Sequence, residues 1–93
     1  MRHLHRVDAN QAAIVEALQR AGCTTLSLTS IGQGCPDLLV ARAGQMWLLE
    51  LKADSELAQS QIAWINAWNA KVHVVRSVDE ALAAVGLAKS PKP

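Results

Sequence analysis

Residues 36–52 read Pro36-Asp37-Leu38-Leu39-Val40-Ala41-Arg42-Ala43-Gly44-Gln45-Met46-Trp47-Leu48-Leu49-Glu50-Leu51-Lys52. This stretch decides the fold. Pro36 fixes its own φ and biases Cys35 towards an extended backbone. Asp37 to Arg42 then runs through Leu38, Leu39, Val40 and Ala41 without a polar break, and Met46 to Lys52 resumes the apolar run. Ala43-Gly44-Gln45 between them is a tight, glycine-containing connection, so the pair predicts an antiparallel hairpin. Apolar residues on both faces predict central strands in a sheet covered on both sides.

Strand alternation turns Met46, Leu48, Glu50 and Lys52 one way and Trp47, Leu49 and Leu51 the other. Glu50 and Lys52 then sit roughly 6.6 Å apart at the end of a strand that is otherwise core, where charge is costly unless paired or used. With the turn at 43–45, Ala41 lies near Met46 and Asp37 comes near Glu50. At about 4 Å two carboxylates repel by roughly 4 kcal/mol in an effective dielectric of about 20. A divalent cation removes that penalty, and oxygen ligands with open positions suit Mg²⁺ or Mn²⁺. Such an ion acidifies water and neutralises a scissile phosphate, while the Lys52 ammonium orients the water or steadies developing charge. The same spacing also fits a half-exposed Glu50–Lys52 pair at a strand end, with Asp37 a turn residue after Pro36.

Working outward, residues 1–7 read as an irregular arm. Asp8 starts a helix, with Gln11 completing a capping box. Ile14, Leu18 and Ala21 share a face, Val15 lies beside them, and Gly22 ends the helix. Thr24 to Ile31 alternates and is rich in β-branched residues, which predicts a first strand broken by Gly32-Gln33-Gly34. Beyond Lys52, Asp54 or Ser55 caps a second helix running to about Asn69, with Leu57, Gln61, Trp64 and Trp68 on one face. Lys71 to Arg76 is a fourth strand. Ser77 and Glu80 form a capping box for a short third helix with Leu82 and Val85 inward, closed by Gly86. Residues 88–93 read as a frayed tail. The order is αβββαβα in one domain spanning residues 1–93.

Four blocks of this sequence carry a resemblance. Pro36-Asp37, then Glu50-Leu51-Lys52, matches the PD-(D/E)xK pattern of a nuclease superfamily whose core is an αβββαβ unit. The chain further resembles the small phage and bacterial VRR-NUC endonucleases. The likeness lies in Arg6-Val7-Asp8-Ala9-Asn10-Gln11, Gly34-Cys35-Pro36-Asp37-Leu38-Leu39-Val40, Leu48-Leu49-Glu50-Leu51-Lys52 and Val74-Val75-Arg76-Ser77-Val78-Asp79-Glu80-Ala81-Leu82. It implies an α/β, restriction-endonuclease-like fold, a mixed sheet flanked by helices, with a short C-terminal helix added. It also implies Mg²⁺- or Mn²⁺-dependent hydrolysis of DNA. Asp37 and Glu50 become metal ligands with the Leu51 carbonyl a third, Lys52 the catalytic lysine, and Glu16 an acidic residue reaching the metal through water. Gln61 is placed near Lys52 or a DNA phosphate, and Arg6 and Asn10 join it as DNA-facing or supporting residues. Analogy with relatives acting on branched DNA implies a homodimer, because two strands need two sites. In one respect the chain departs from the pattern: where relatives carry a longer basic loop after the lysine, it has the short acidic run Ala53-Asp54-Ser55-Glu56.

Composition narrows the classes. A hydrophobic fraction of 51% with sparse Pro and Gly is globular and not disordered. Three Trp without Phe or Tyr leave Trp47, Trp64 and Trp68 to carry all large-ring burial. A net charge of +1 gives no basic excess, so DNA affinity has to come from local Arg and Lys, from metal or from dimerisation. Cys23 and Cys35 match neither redox nor zinc spacing and read as buried reduced thiols. His3, His5 and His73 have no evident partners. No signal peptide and no run of about 20 apolar residues is present, so a cytoplasmic protein is expected. Two rival readings keep the fold without the cleavage. One is a catalytically silent nucleic-acid-binding module, favoured by the weak charge and opposed by intact Asp37, Glu50 and Lys52. The other is a dimeric interaction module using Trp64 or Trp68.

Overall fold

In a computed structural model, which describes residues 5–87 and the side chains from residue 10 onward, the elements follow the expected αβββαβα order. They are α1 (His5–Arg20), β1 (Thr24–Ser27), β2 (Leu38–Arg42), β3 (Gln45–Leu51), α2 (Gln59–Ala67), β4 (Val72–Val75) and α3 (Val78–Ala84). The sheet order is β1-β2-β3-β4. The first three strands are antiparallel, and β4 pairs parallel to β3, so the sheet is mixed. A parallel neighbour requires a crossover, and the segment carrying α2 supplies it.

The hairpin holds the predicted register, with Ala41 opposite Met46 and Leu38 opposite Leu49. Its turn is tighter than expected. Arg42 pairs with Gln45, leaving only Ala43 and Gly44 between the strands, at φ 53° and 81°. Positive φ at both central residues matches the right-handed twist of the flanking strands. The first strand is shorter than predicted. Ser27 and Thr29 hydroxyls meet at 3.1 Å and the Ile31 amide donates to the Leu28 carbonyl, so local bonds divert the backbone into a turn.

Both outer helices differ from expectation at their starts. The backbone of α1 is already helical at His5, so Asp8 lies within the helix and does not cap it; no Gly or Pro at 5–8 stops the helix there. Residues 5–7, expected in an irregular arm, are therefore helical, while the rest of that arm with His3 and the predicted tail at 88–93 lie outside the described residues. Helix α2 begins at Gln59, not at Asp54 or Ser55. The Ser55 carbonyl accepts from the Arg76 guanidinium at 2.9 Å, which holds the intervening loop against the β4–α3 junction. At α3, Ser77 caps as predicted, accepting from the Glu80 amide at 3.1 Å. Arg42 reaches across from β2 to donate to the Val85 carbonyl at 2.8 Å and closes the other end of that helix.

The core lies on one side of the sheet. Ile14 and Leu18 of α1 and Ala81 and Val85 at α3 pack on Leu38, Val40, Leu49, Leu51 and Val75, with Cys23 at the edge. The opposite face is not covered as the apolar runs predicted. No residue of α2 is buried, and an open apolar groove of about 620 Å³ runs between Trp64 and Trp68 of the helix and Leu39, Met46 and Leu48 of the strands. A nine-residue helix is too short to roof a four-stranded sheet.

Candidate active site

The hairpin register carries Asp37 to the position opposite Glu50. Asp37 stands one residue before β2, yet its backbone is already in the ladder: its amide donates to the Leu49 carbonyl at 3.1 Å, and its carbonyl accepts from Leu28 at 2.8 Å. One carboxylate oxygen, Oδ2, accepts from the Leu51 amide at 2.9 Å. A backbone donor thus fixes the rotamer of Asp37 against the end of β3. Lys52 follows immediately, with its amide bonded to the Val75 carbonyl at 3.0 Å, so parallel pairing with β4 fixes the origin of its side chain.

Glu50 is the one buried polar or charged side chain among the described residues, at 1% exposure. Its Oε2 accepts from the Gln61 amide nitrogen at 2.8 Å. Its Oε1 is buried and has no partner among the described residues. Burial, and then the negative charge of Asp37, push the Glu50 carboxyl up to about 8, against partial relief from Lys52. At neutral pH the metal-free protein therefore holds this group largely protonated. A buried carboxyl with an orphan oxygen, beside a second carboxylate and a lysine, is what a cation or polar ligand would satisfy.

Other expected site residues lie elsewhere. Glu16 is exposed and forms an ion pair with Arg20 at 2.9 Å, one turn along its own helix. Among the described residues no group of three or more His, Cys, Asp or Glu side chains stands ready to hold a metal; the carboxyls that meet at the hairpin end are Asp37 and Glu50. Asn10 is half-buried on α1 and makes no hydrogen bond to that pair among the described residues. The side chain of Arg6 lies outside the described residues. Gln61, expected near Lys52 or a DNA phosphate, donates to Glu50, two residues before Lys52.

Cys35 was expected to be buried core. It is half-buried and free, and burial with the charges of Glu50 and Asp37 raises its thiol pKa. Its position in Cys35-Pro36-Asp37 is the sequence signal for that proximity. Cys23 is buried as expected.

A solved structure titled "VRR_NUC domain" superposes on this chain with a TM-score of 0.66, covering 85% of this chain and 92% of that one at 24% identity. The chain has the VRR_NUC fold. No family model matches the sequence, and no curated protein matches it either. Among the described residues no helix is long and apolar enough to cross a membrane.

Proposed function

We propose that this chain is a VRR-NUC-type endodeoxyribonuclease, hydrolysing DNA phosphodiester bonds with Mg²⁺ or Mn²⁺ at Asp37, Glu50 and Lys52. The observation that carries this reading is Glu50: a buried carboxyl with one unpartnered oxygen, opposite a second carboxylate and two residues before a lysine. The donor set fits a hard divalent cation. Asp37 and Glu50 offer oxygen, and the Leu51 carbonyl is the third donor the family resemblance implies. When bound, the ion supplies charge neutralisation at a phosphate and a more acidic water.

The chain's own residues do the rest. Asp37 is pinned through Oδ2 by the Leu51 amide, which holds its carboxylate against Glu50. To serve as a ligand Glu50 would have to give up its proton, and the charge of a bound cation would offset the burial cost and the repulsion from Asp37 that hold that proton on. Lys52 brings a mobile positive charge to the exit of the same strand, where it can hold a water or an oxyanion. The free thiols Cys23 and Cys35 suit a reducing, intracellular setting.

The decisive experiment is calorimetric titration with Mn²⁺. Wild type binds, and Asp37→Asn loses binding while its circular dichroism is unchanged. Equal affinity in both would remove the metal site and leave a non-cutting nucleic-acid-binding or interaction module on the same fold.

Branched DNA and a homodimer belong to the same proposal. Pairing places Leu26, Leu39, Leu48 and Met46 on one face of the sheet, and Leu26 is 56%, Met46 67% and Trp68 46% exposed. Such an apolar patch is larger than scattered surface leucines explain, and a second copy would cover it. Two copies would also present two sites to two strands and double the phosphate contacts available to a chain of net charge +1. Light scattering at micromolar concentration should report a dimer that Met46→Glu converts to monomer. DNA affinity should fall steeply with salt, and four-way junctions should bind more tightly than linear duplex. A monomeric wild type that binds both DNAs equally would leave simple nicking activity and rule out the branched-DNA assignment.

A further inference from the structure

Helix α2 is poorly anchored by packing. It has nine residues, none buried, and a helix of that length is marginal in water without a buried face. Its first turn is nevertheless held closely to the site. A Cβ built on Gly34, at φ +86°, would fall 2.2 Å from the Ser60 carbonyl oxygen, so only glycine lets the loop before Asp37 approach α2 this far. The second tie is Gln61. Its Oε1 accepts from the Ala58 amide at 2.7 Å, the bond that an N3 side chain makes to the N-cap backbone in a capping box. Its Nε2 donates to Glu50 Oε2 at 2.8 Å.

One planar amide therefore serves two structures at once. A change in the orientation of Glu50 moves the donor end of Gln61, and the acceptor end carries that movement to the start of α2. In the other direction, the seat of α2 determines which oxygen of Glu50 is engaged and leaves Oε1 unpartnered. We propose that Gln61 is a positioning residue coupling the seating of α2 to Glu50, so that metal occupancy and the order of this helix support each other. The inference rests on the metal reading of Asp37 and Glu50. Its further consequence is that the Trp64–Trp68 stack, with ring centroids 4.7 Å apart, is seated more firmly over the apolar groove when the site is loaded.

Coupling of this kind is reciprocal, which gives two independent measurements. Calorimetry with Mn²⁺ compares wild type with Gln61→Met, which keeps the side-chain length and removes both hydrogen bonds. Affinity should fall about 10–100-fold, as for loss of a group that orients a metal carboxylate. Hydrogen-exchange mass spectrometry of the wild type with and without Mg²⁺ should show slower exchange in Gln59–Ala67 when the ion is present. In Gln61→Met that metal-dependent slowing should be lost, a result that a purely helix-capping role would not give. Undiminished Mn²⁺ affinity in the variant overturns the proposal. So does α2 exchange in the wild type that ignores Mg²⁺, a measurement that stands even if the variant does not fold. A wild type that binds no Mn²⁺ at all overturns the metal reading itself, and this coupling with it.

Discussion

Lys52→Ala lowers DNA cleavage by about 10²–10³-fold, the usual loss when one charge-stabilising donor is removed from a reacting centre, and leaves Mn²⁺ affinity within a few fold. The two readouts separate because Lys52 is not an oxygen donor, and its side chain follows a strand whose position is set by backbone pairing. Removing it takes away positive charge that partly offsets the elevation of Glu50 and also a charge that repels a cation, so the two effects on metal affinity oppose each other while the rate falls. Lys52→Arg keeps the charge but exchanges a compact ammonium for a planar fork, and should recover binding more than rate. Single-turnover cleavage of supercoiled DNA alongside calorimetry tests this. A Lys52→Ala enzyme with full activity would make the lysine a structural charge.

Glu50→Gln raises the thermal midpoint of the metal-free protein at pH 8 by on the order of 10 °C, and abolishes Mn²⁺ binding. The gain follows from linkage. Glu50 titrates at about 8 in the folded chain, against an ordinary value of 4.5. Below 4.5 both states hold the proton, and the carboxyl costs nothing. Between 4.5 and about 8 the unfolded chain releases a proton that the folded chain retains, so stability falls as pH rises. Above about 8 the full penalty is present, a few kcal/mol, and each kcal/mol moves the midpoint of a domain this size by roughly 4–8 °C. The isosteric amide has no such titration, so its advantage is absent at pH 4 and grows towards pH 8. At the proposed metal site an ion would have to displace that proton, so Mn²⁺ affinity is expected to rise with pH until about 8 and then level. Thermal melts in chelator from pH 4 to 9 check the first part. Parallel pH profiles for wild type and variant would show that Glu50 is not a buried, elevated carboxyl.

Much of this was legible in residues 36–52 because its determinants are local. Alternation assigned Trp47, Leu49 and Leu51 to the core, and Leu49 and Leu51 are buried there. Glycine in the connection fixed the hairpin, and a hairpin's register follows from its turn, so the juxtaposition of Asp37 and Glu50 could be read from spacing. The Ser77 cap was legible for the same reason: its donor lies three residues away.

Tertiary structure decided what depends on distant partners. Apolar runs in β2 and β3 say that both faces avoid water, but not which element covers each. Covering a face requires a helix long and apolar enough to roof it, and α2 proves too short, so the second face stays open. Ionisation of Glu50 likewise depends on its surroundings: burial and a neighbouring charge from another strand move it, and neither is a property of Glu50-Leu51-Lys52. Gln61 could be assigned to α2 from periodicity, yet its bond to Glu50 exists only because Gly34 lets the helix come close. Glu16 shows the converse: a helix charge that the family resemblance aimed at the site pairs with Arg20 one turn on, because i,i+4 neighbours meet whatever the rest of the fold does. By itself the sequence determined the central hairpin, its register and the meeting of Asp37 with Glu50, since those follow from near-neighbour sterics and turn geometry. The protonation of the site, the helix that holds it and the apolar face left bare were decided only when distant segments met, because burial and electrostatic energy are set by every group that approaches and not by chain position.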